Sequence, residues 1–228
     1  MTASAILFLH GALASRTQFT DVLPLLGERF ELHTLDFEGH GQFISENPFR
    51  MELFVENVVD YLNQHHLDIV NIFGYSMGGY VACLLAKEHP ERVGKIVTLG
   101  TKFRWDVETA INETAWMNPE NMEQKTPRFT QVLTDRHGSH WQSVVRRTRE
   151  LLWSLGEQGG FKPEEAAQIR QPMRLMLGDR DQTVTMEETQ AIFHALPHGE
   201  LEVLPNTAHA FEKASPTRLA QTLHDFFI

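Results

Sequence analysis

The sequence predicts an α/β fold: a mainly parallel sheet of about six strands, covered by helices on both faces, with a helical cap inserted before the fifth strand. Three observations carry this expectation. Short apolar, β-branched runs recur along the chain, helix-length segments separate them, and three glycines crowd one serine where such a run gives way to an Ala- and Leu-rich stretch. Strands linked by helix-length crossovers pair in parallel and are covered on both faces.

In chain order the runs are Ala5 to Leu9, Leu32 to Leu35, Ile69 to Phe73, Lys95 to Leu99, Met173 to Leu177 and Leu201 to Leu204. Glu52 to His65 sets Leu53, Phe54, Val58 and Leu62 near helical spacing, so a helix is expected before the third strand. Tyr80 to Glu88 reads as a helix from its Ala and Leu content, and Arg218 to Phe227 as the closing helix. About seventy residues intervene between Leu99 and Met173, far more than a usual connection, so that segment should hold structure of its own. It is expected to form a cap over residues 101–165 within a single domain spanning residues 1–228.

All four tryptophans, Trp105, Trp116, Trp141 and Trp153, fall in this insertion. Trp141, Val144, Val145, Thr148, Leu151, Leu152 and Leu155 repeat on one helix face, which leaves Arg146, Arg147 and Arg149 largely on other faces. Those arginines are read as a solvated surface in preference to an anion site. The tryptophans either pack a core or line a pocket beneath the cap.

Composition narrows the function classes. With 228 residues, 42% of them apolar and 22% charged, the chain has the make-up of a soluble globular protein. Its formal net charge of −10 argues against a nucleic-acid partner, since phosphate neutralisation needs an excess of Lys and Arg. One cysteine, Cys83, fits a reducing compartment and reads as a small buried thiol. The stretch from Ala5 to Ser15 imitates a signal peptide, but no Lys or Arg precedes it and His10-Gly11 interrupts it. No run approaches the roughly 18 apolar residues of a membrane span. The expectation is a cytoplasmic protein acting on a small-molecule substrate, without membrane or nucleic-acid partner and of unassigned oligomeric state.

In an open parallel sheet, ligands bind at the carboxyl ends of the strands. The residues that follow the strands are His10, Gly11 and Ala12 after the first, Asp36 after the second and Ser76 after the third. Gly178 to Asp181 follow the fifth and Asn206 to His209 the sixth. A serine, a carboxylate and a histidine thus arrive at one edge. A serine hydroxyl becomes a nucleophile when a base takes its proton, and the base needs a carboxylate to fix its tautomer. Gly74, Gly78 and Gly79 remove bulk around Ser76, although glycines at a strand end also mark plain sharp turns.

With these residues in place, the sequence resembles the α/β-hydrolases. Gly74-Tyr75-Ser76-Met77-Gly78 matches the family's G-x-S-x-G nucleophile elbow, and His10-Gly11-Ala12 its oxyanion loop. Asp36-Phe37-Glu38-Gly39-His40-Gly41 matches a D-x-x-G-x-G segment, Asp181 the acid and His209 the base. The resemblance implies a Ser76, Asp181, His209 triad. It also implies oxyanion donors at the Ala12 and Met77 N–H groups, with Leu13 as a stand-in, and no cofactor; no pair of histidines has metal-ligand context, so no metal is expected. Leu13, Tyr75, Trp105 and Trp141 are the candidates for substrate contact. His10 is expected to brace the oxyanion loop, and Asp36 and His40 to hold a turn. Asp179 is expected to hold backbone N–H groups beside Asp181. There are two departures from the family: the antiparallel N-terminal hairpin is expected to be missing, and the cap is short.

The implied activity is hydrolysis of a small carboxylic ester or thioester. Two alternatives stand beside it. One is a C–C hydrolase or lyase of a carboxylated metabolite, for which Lys102, Arg104, Arg128 or Arg136 would supply a cation. The other is a slow-turnover ligand receptor of the same fold.

Overall fold

The computed structural model describes residues 4–228. The elements run β1 (Ser4–Leu9), α1 (Leu23–Leu26), β2 (Phe30–Thr34), α2 (Met51–Gln64), β3 (Val70–Tyr75), α3 (Met77–Glu88) and β4 (Val93–Leu99). Between β4 and β5 lie α4 (Val107–Thr114), α5 (Pro119–Lys125), α6 (Pro127–His137), α7 (Trp141–Gln158) and α8 (Pro163–Ala166). The chain finishes with β5 (Met173–Gly178), α9 (Met186–Ala195), β6 (Gly199–Leu204) and α10 (Pro216–Phe227). Among the described residues the strands form one sheet in the order β2-β1-β3-β4-β5-β6, with every neighbouring pair parallel.

Alternation along the strands sorts side chains into two layers. Ile6 and Phe8 of β1, with Phe73 and Tyr75 of β3, join the core shared with α10, while Leu7, Leu9, Val70 and Ile72 join the core shared with α2 and α3. Leu53, Phe54, Val58 and Leu62 of α2 are all buried, as their helical spacing requires. The cap helices pack mainly on one another and on the second of these cores through Phe103, Trp105, Leu133, Trp141, Val144 and Leu151. Asp106 caps α4 by accepting from the Thr109 N–H at 2.7 Å, and Asn118 caps α5 through the Asn121 N–H at 2.9 Å.

Three details differ from the sequence reading. Ile69 is exposed, because the chain enters the sheet only at Val70. The helix after the serine starts at Met77, directly beyond it, rather than at Tyr80. Arg147 is buried, not solvated: its guanidinium lies 4.4 Å over the Phe49 ring and donates to the Asn47 carbonyl at 3.1 Å. The long loop between β2 and α2 folds back against α7 and covers that side of the helix.

Candidate active site

The site grows from the junction of β1 and β3, which are neighbours paired Leu9 to Gly74. Successive connections leave in opposite directions here, one to β2 and the other toward β4, so a crevice opens at the carboxyl ends. Ser76 sits in it with φ 50° and ψ −114°, a left-handed conformation that costs a serine strain. The surroundings hold it there. Its N–H donates to the Leu99 carbonyl at 2.9 Å, and the Thr101 hydroxyl donates to its carbonyl at 3.2 Å. A side chain at Gly74 would strike the Gly78 and Gly79 backbone, and one at Gly78 would strike the Leu9 carbonyl. The glycine crowding is therefore a close approach of α3 to β1 and β3 around Ser76, beyond what a plain turn needs.

Ser76 Oγ lies 3.4 Å from His209 Nε2, and His209 Nδ1 lies 2.8 Å from Asp181 Oδ2. The carboxylate accepts, so Nδ1 carries the proton and Nε2 faces the serine as an acceptor. The Asp181 side chain is only 2% exposed, and its other oxygen accepts from the Thr183 and Val184 N–H groups at 2.9 and 2.8 Å. Burial pushes its pKa up, but the His209 contact and the two amides outweigh this, leaving it below the usual carboxylate value. The serine–histidine contact is long for a hydrogen bond.

Two supports position His209. The Tyr75 hydroxyl donates to its backbone carbonyl at 2.7 Å. Asp179 accepts from the Thr207 N–H at 3.1 Å and so ties the loop carrying His209 to the end of β5. Asp179 thus lies apart from His209, engaged with backbone, and Asp181 is the carboxylate the fold brings to the imidazole.

The Met77 N–H opens α3, where first-turn amides have no partner within the helix, and so it adjoins Ser76 as a free donor position. The peptide ending in the Ala12 N–H is held from behind. His10 Nδ1 donates to the Gly11 carbonyl at 2.8 Å, and His10 Nε2 accepts from the Phe37 N–H at 3.2 Å. A trans peptide points its C=O and N–H in opposite directions, so this bond aims the Ala12 N–H away from His10. Burial lowers the His10 pKa to about 4, which keeps the ring neutral in that role. Asp36 accepts from the Arg16 N–H at 2.7 Å, and His40 is buried against Phe49, both within the loop.

A cavity of about 630 Å³ opens above Ser76. Leu13, Tyr75 and Trp105 line it, with Met117, Phe129, Val132, Leu152 and Leu155 from the cap. Trp141 does not line it: at the start of α7 it is buried in the core, because only the far end of that apolar face, Leu152 and Leu155, reaches the cavity. Trp116 lines the cavity as well, whereas Trp153 stands on the outer side of α7 beside Arg146 and Arg149.

Four charged side chains border the cavity. Lys102 Nζ donates to the Thr183 carbonyl at 2.7 Å and lies 3.8 Å from Glu188. Arg136 lies 3.3 Å from Glu212, itself at the cavity edge. Glu113 is half-buried, and that burial raises its pKa. Arg104 and Arg128 are not among the lining residues. Sequence reasoning missed Gln18, Glu113, Phe211 and Glu212. Only the last two carried a signal, their place directly after His209.

Among the described residues no group of three or more His, Cys, Asp or Glu side chains is arranged to hold a metal ion, and no helix is long and apolar enough to cross a membrane.

Comparison with known proteins agrees with this architecture. Residues 4–149 match the family model described as the alpha/beta hydrolase fold. The chain is 23% identical to the uncharacterized hydrolase YugF of Bacillus subtilis (strain 168), covering 96% of this chain and 88% of that protein. It is 24% identical to the pimeloyl-[acyl-carrier protein] methyl ester esterase of Chromobacterium violaceum, covering 90% and 87%. Several other curated relatives are longer, and the chain spans about a quarter of their length. Among solved structures, the enol-lactonase of Burkholderia xenovorans LB400 superposes with a TM-score of 0.82 at 17% identity, covering 100% of this chain and 92% of that one.

Proposed function

The chain belongs to the alpha/beta hydrolase fold family, and from that premise we propose that it is a serine hydrolase cleaving a small, uncharged carboxylic ester or thioester through an acyl-enzyme on Ser76. The observation that carries this reading is the Asp181–His209–Ser76 chain of contacts opening onto an apolar cavity.

In the first half-reaction His209 Nε2 takes the Ser76 proton as Oγ bonds to the substrate carbonyl carbon. The negative oxygen that develops faces the Ala12 and Met77 N–H groups, where one such donor is worth roughly 2.7 to 4 kcal/mol. The imidazolium, stabilised by Asp181, then gives its proton to the departing alcohol or thiol as the carbonyl re-forms. In the second, His209 takes a proton from water as its oxygen attacks the acyl carbon. Collapse returns the proton to Ser76 and releases the acid. Apart from the substrate and the attacking water, the groups in this cycle are side chains and backbone of the chain itself.

The cavity charges favour uncharged substrates. Both bordering cations already have acidic neighbours, and Glu113 adds a further carboxyl. A carboxylated metabolite would have to displace one of those neighbours, which weighs against the C–C hydrolase alternative. The relatives named as an ester esterase and an enol-lactonase support ester-type bonds as the target class.

A panel of p-nitrophenyl acetate, butyrate and hexanoate, set against the hemisuccinate ester, tests the reading. Steady turnover of the uncharged esters is expected, with kcat/KM for the hemisuccinate at least tenfold lower. Stoichiometric release without turnover would favour the receptor alternative. Preference for the hemisuccinate would reverse the charge argument.

A further inference from the structure

Cap helix α6 ends in His137, whose ring is fully buried against the oxyanion loop rather than the cavity. Its Nε2 lies 3.1 Å from the Leu13 carbonyl, and its Nδ1 lies 3.0 Å from the Gly41 nitrogen. The Leu13 oxygen can only accept and the Gly41 N–H can only donate, so the ring is neutral with its proton on Nε2. Burial is the main cause that lowers its pKa to about 4, which keeps the ring neutral at neutral pH while its two partners set the tautomer. One imidazole therefore joins three segments: the cap, the loop after β1 and the loop after β2.

The position of the accepting carbonyl gives this bridge its meaning. Leu13 has φ 59°, a left-handed conformation unfavourable for a bulky side chain, so something must hold it. The neighbouring Arg136 Nη1 donates to the same oxygen at 3.4 Å. On the other side, His10 holds the Gly11 carbonyl, and Gln18 accepts from the Gly11 N–H at 3.0 Å. The Ala14 N–H also donates to the Gly11 carbonyl at 3.2 Å and closes the turn around Ala12 and Leu13, and the side-chain pins after Ala12 come from the cap.

We propose that His137 is a positioning residue: by clamping the Leu13 carbonyl it fixes the direction of the Ala12 N–H, so that seating of the cap and completion of the oxyanion site are one event. The inference rests on the acyl-transfer reading above. It adds to it that the cap, besides bounding the cavity, contributes to stabilising the transition state through backbone it never replaces.

Kinetics with p-nitrophenyl butyrate, normalised by fluorophosphonate titration of active sites, test it on purified wild type, His137→Asn and His137→Gln. Asparagine keeps an acceptor for the Gly41 N–H but is too short to reach Leu13, whereas the glutamine amide reaches the Nε2 position. Misaiming a reacting group by about 1 Å costs up to about 100-fold, so kcat of His137→Asn should fall roughly 10- to 100-fold with KM within about threefold. His137→Gln should recover to within about fivefold of wild type. Unchanged kcat in His137→Asn overturns the proposal, as does an equal fall in both variants that follows their loss of folded protein.

Should His137→Asn not fold, 15N spectra of the wild-type imidazoles decide. A proton on Nε2 with a bare, hydrogen-bonded Nδ1 is required, and an Nδ1–H tautomer or an imidazolium at neutral pH refutes the clamp. Wild type that neither turns over ester nor labels removes the acyl-transfer reading and the clamp with it. An active wild type with indifferent variants removes the clamp alone.

Discussion

Acidification from pH 7 to pH 5 should destabilise this fold through its buried imidazoles. Burial lowers the pKa of His10 and of His137 to about 4, against about 6.5 in an unfolded chain. His40, between them with ring centroids 5.0 and 5.8 Å away, also lies well below the ordinary histidine value, chiefly through burial. A depressed histidine pKa means that the folded state binds fewer protons than the unfolded one between roughly pH 4 and 6.5. Unfolding then takes up protons, and stability falls as pH falls through that window. For a group moving from 6.5 to about 4, the linkage integral between pH 7 and pH 5 is about 2 kcal/mol. Each of the two histidines contributes on that order, against a total stability of roughly 5 to 15 kcal/mol for a typical protein. Glu113 and Glu188 act with the opposite sign, because burial raises their pKa and the folded state then gains protons first. Comparing variants removes this offset. Urea unfolding of wild type and His137→Gln at pH 7 and pH 5 should show the wild-type loss of stability shrinking by about 2 kcal/mol in the variant. Equal losses in the two proteins, or a wild type equally stable at both pH values, would refute the reasoning.

The two carboxylates after β5 should separate cleanly. Asp181→Asn leaves His209 without its acceptor and should lower kcat by about four orders of magnitude in a folded protein, by analogy with other triads. Asp179→Asn should change kcat by less than about tenfold while lowering thermal stability slightly, because a neutral amide oxygen accepts from the Thr207 N–H more weakly than a carboxylate does. A large kcat loss confined to Asp179→Asn would reverse the assignment. Trp105→Ala and Trp116→Ala should shift ester chain-length preference, whereas Trp141→Ala should cost roughly 3 to 5 kcal/mol of stability and leave that preference unchanged. A changed preference in folded Trp141→Ala would count against placing it in the core. Gly78→Ala would push a methyl group into the Leu9 carbonyl, where only backbone could yield, and should not give a folded, labelled enzyme.

How much of this was legible in the sequence depended on the kind of constraint. Ser76 directly follows β3, while Asp181 and His209 lie in the loops after β5 and β6, so strand periodicity delivers all three to one edge of the sheet, and the resemblance was needed to choose Asp181 over Asp179. The Gly74, Gly78 and Gly79 signal was equally local, because a backbone approach that excludes a Cβ leaves no other residue type. The cap was different. Its helices were visible from length and spacing, but which face of each meets the cavity depends on how they pack together. Trp141 and Leu155 share one apolar stripe, yet the first meets the core and the second the cavity. Arg147 fell on the expected polar side of that helix and was buried by a loop some hundred residues earlier in the chain. His137 gave no sign of its place, since both its partners come from distant loops and a histidine at a helix end is ordinary.

The central claim is that Ser76 is the nucleophile of an acyl-transfer site. Intact-mass analysis after incubation with a fluorophosphonate, followed by peptide mapping, tests it most directly. A single adduct on Ser76, absent from Ser76→Ala and strongly slowed in His209→Ala, is the result the account predicts. Undiminished labelling in Ser76→Ala, or no adduct on the wild type, would contradict it.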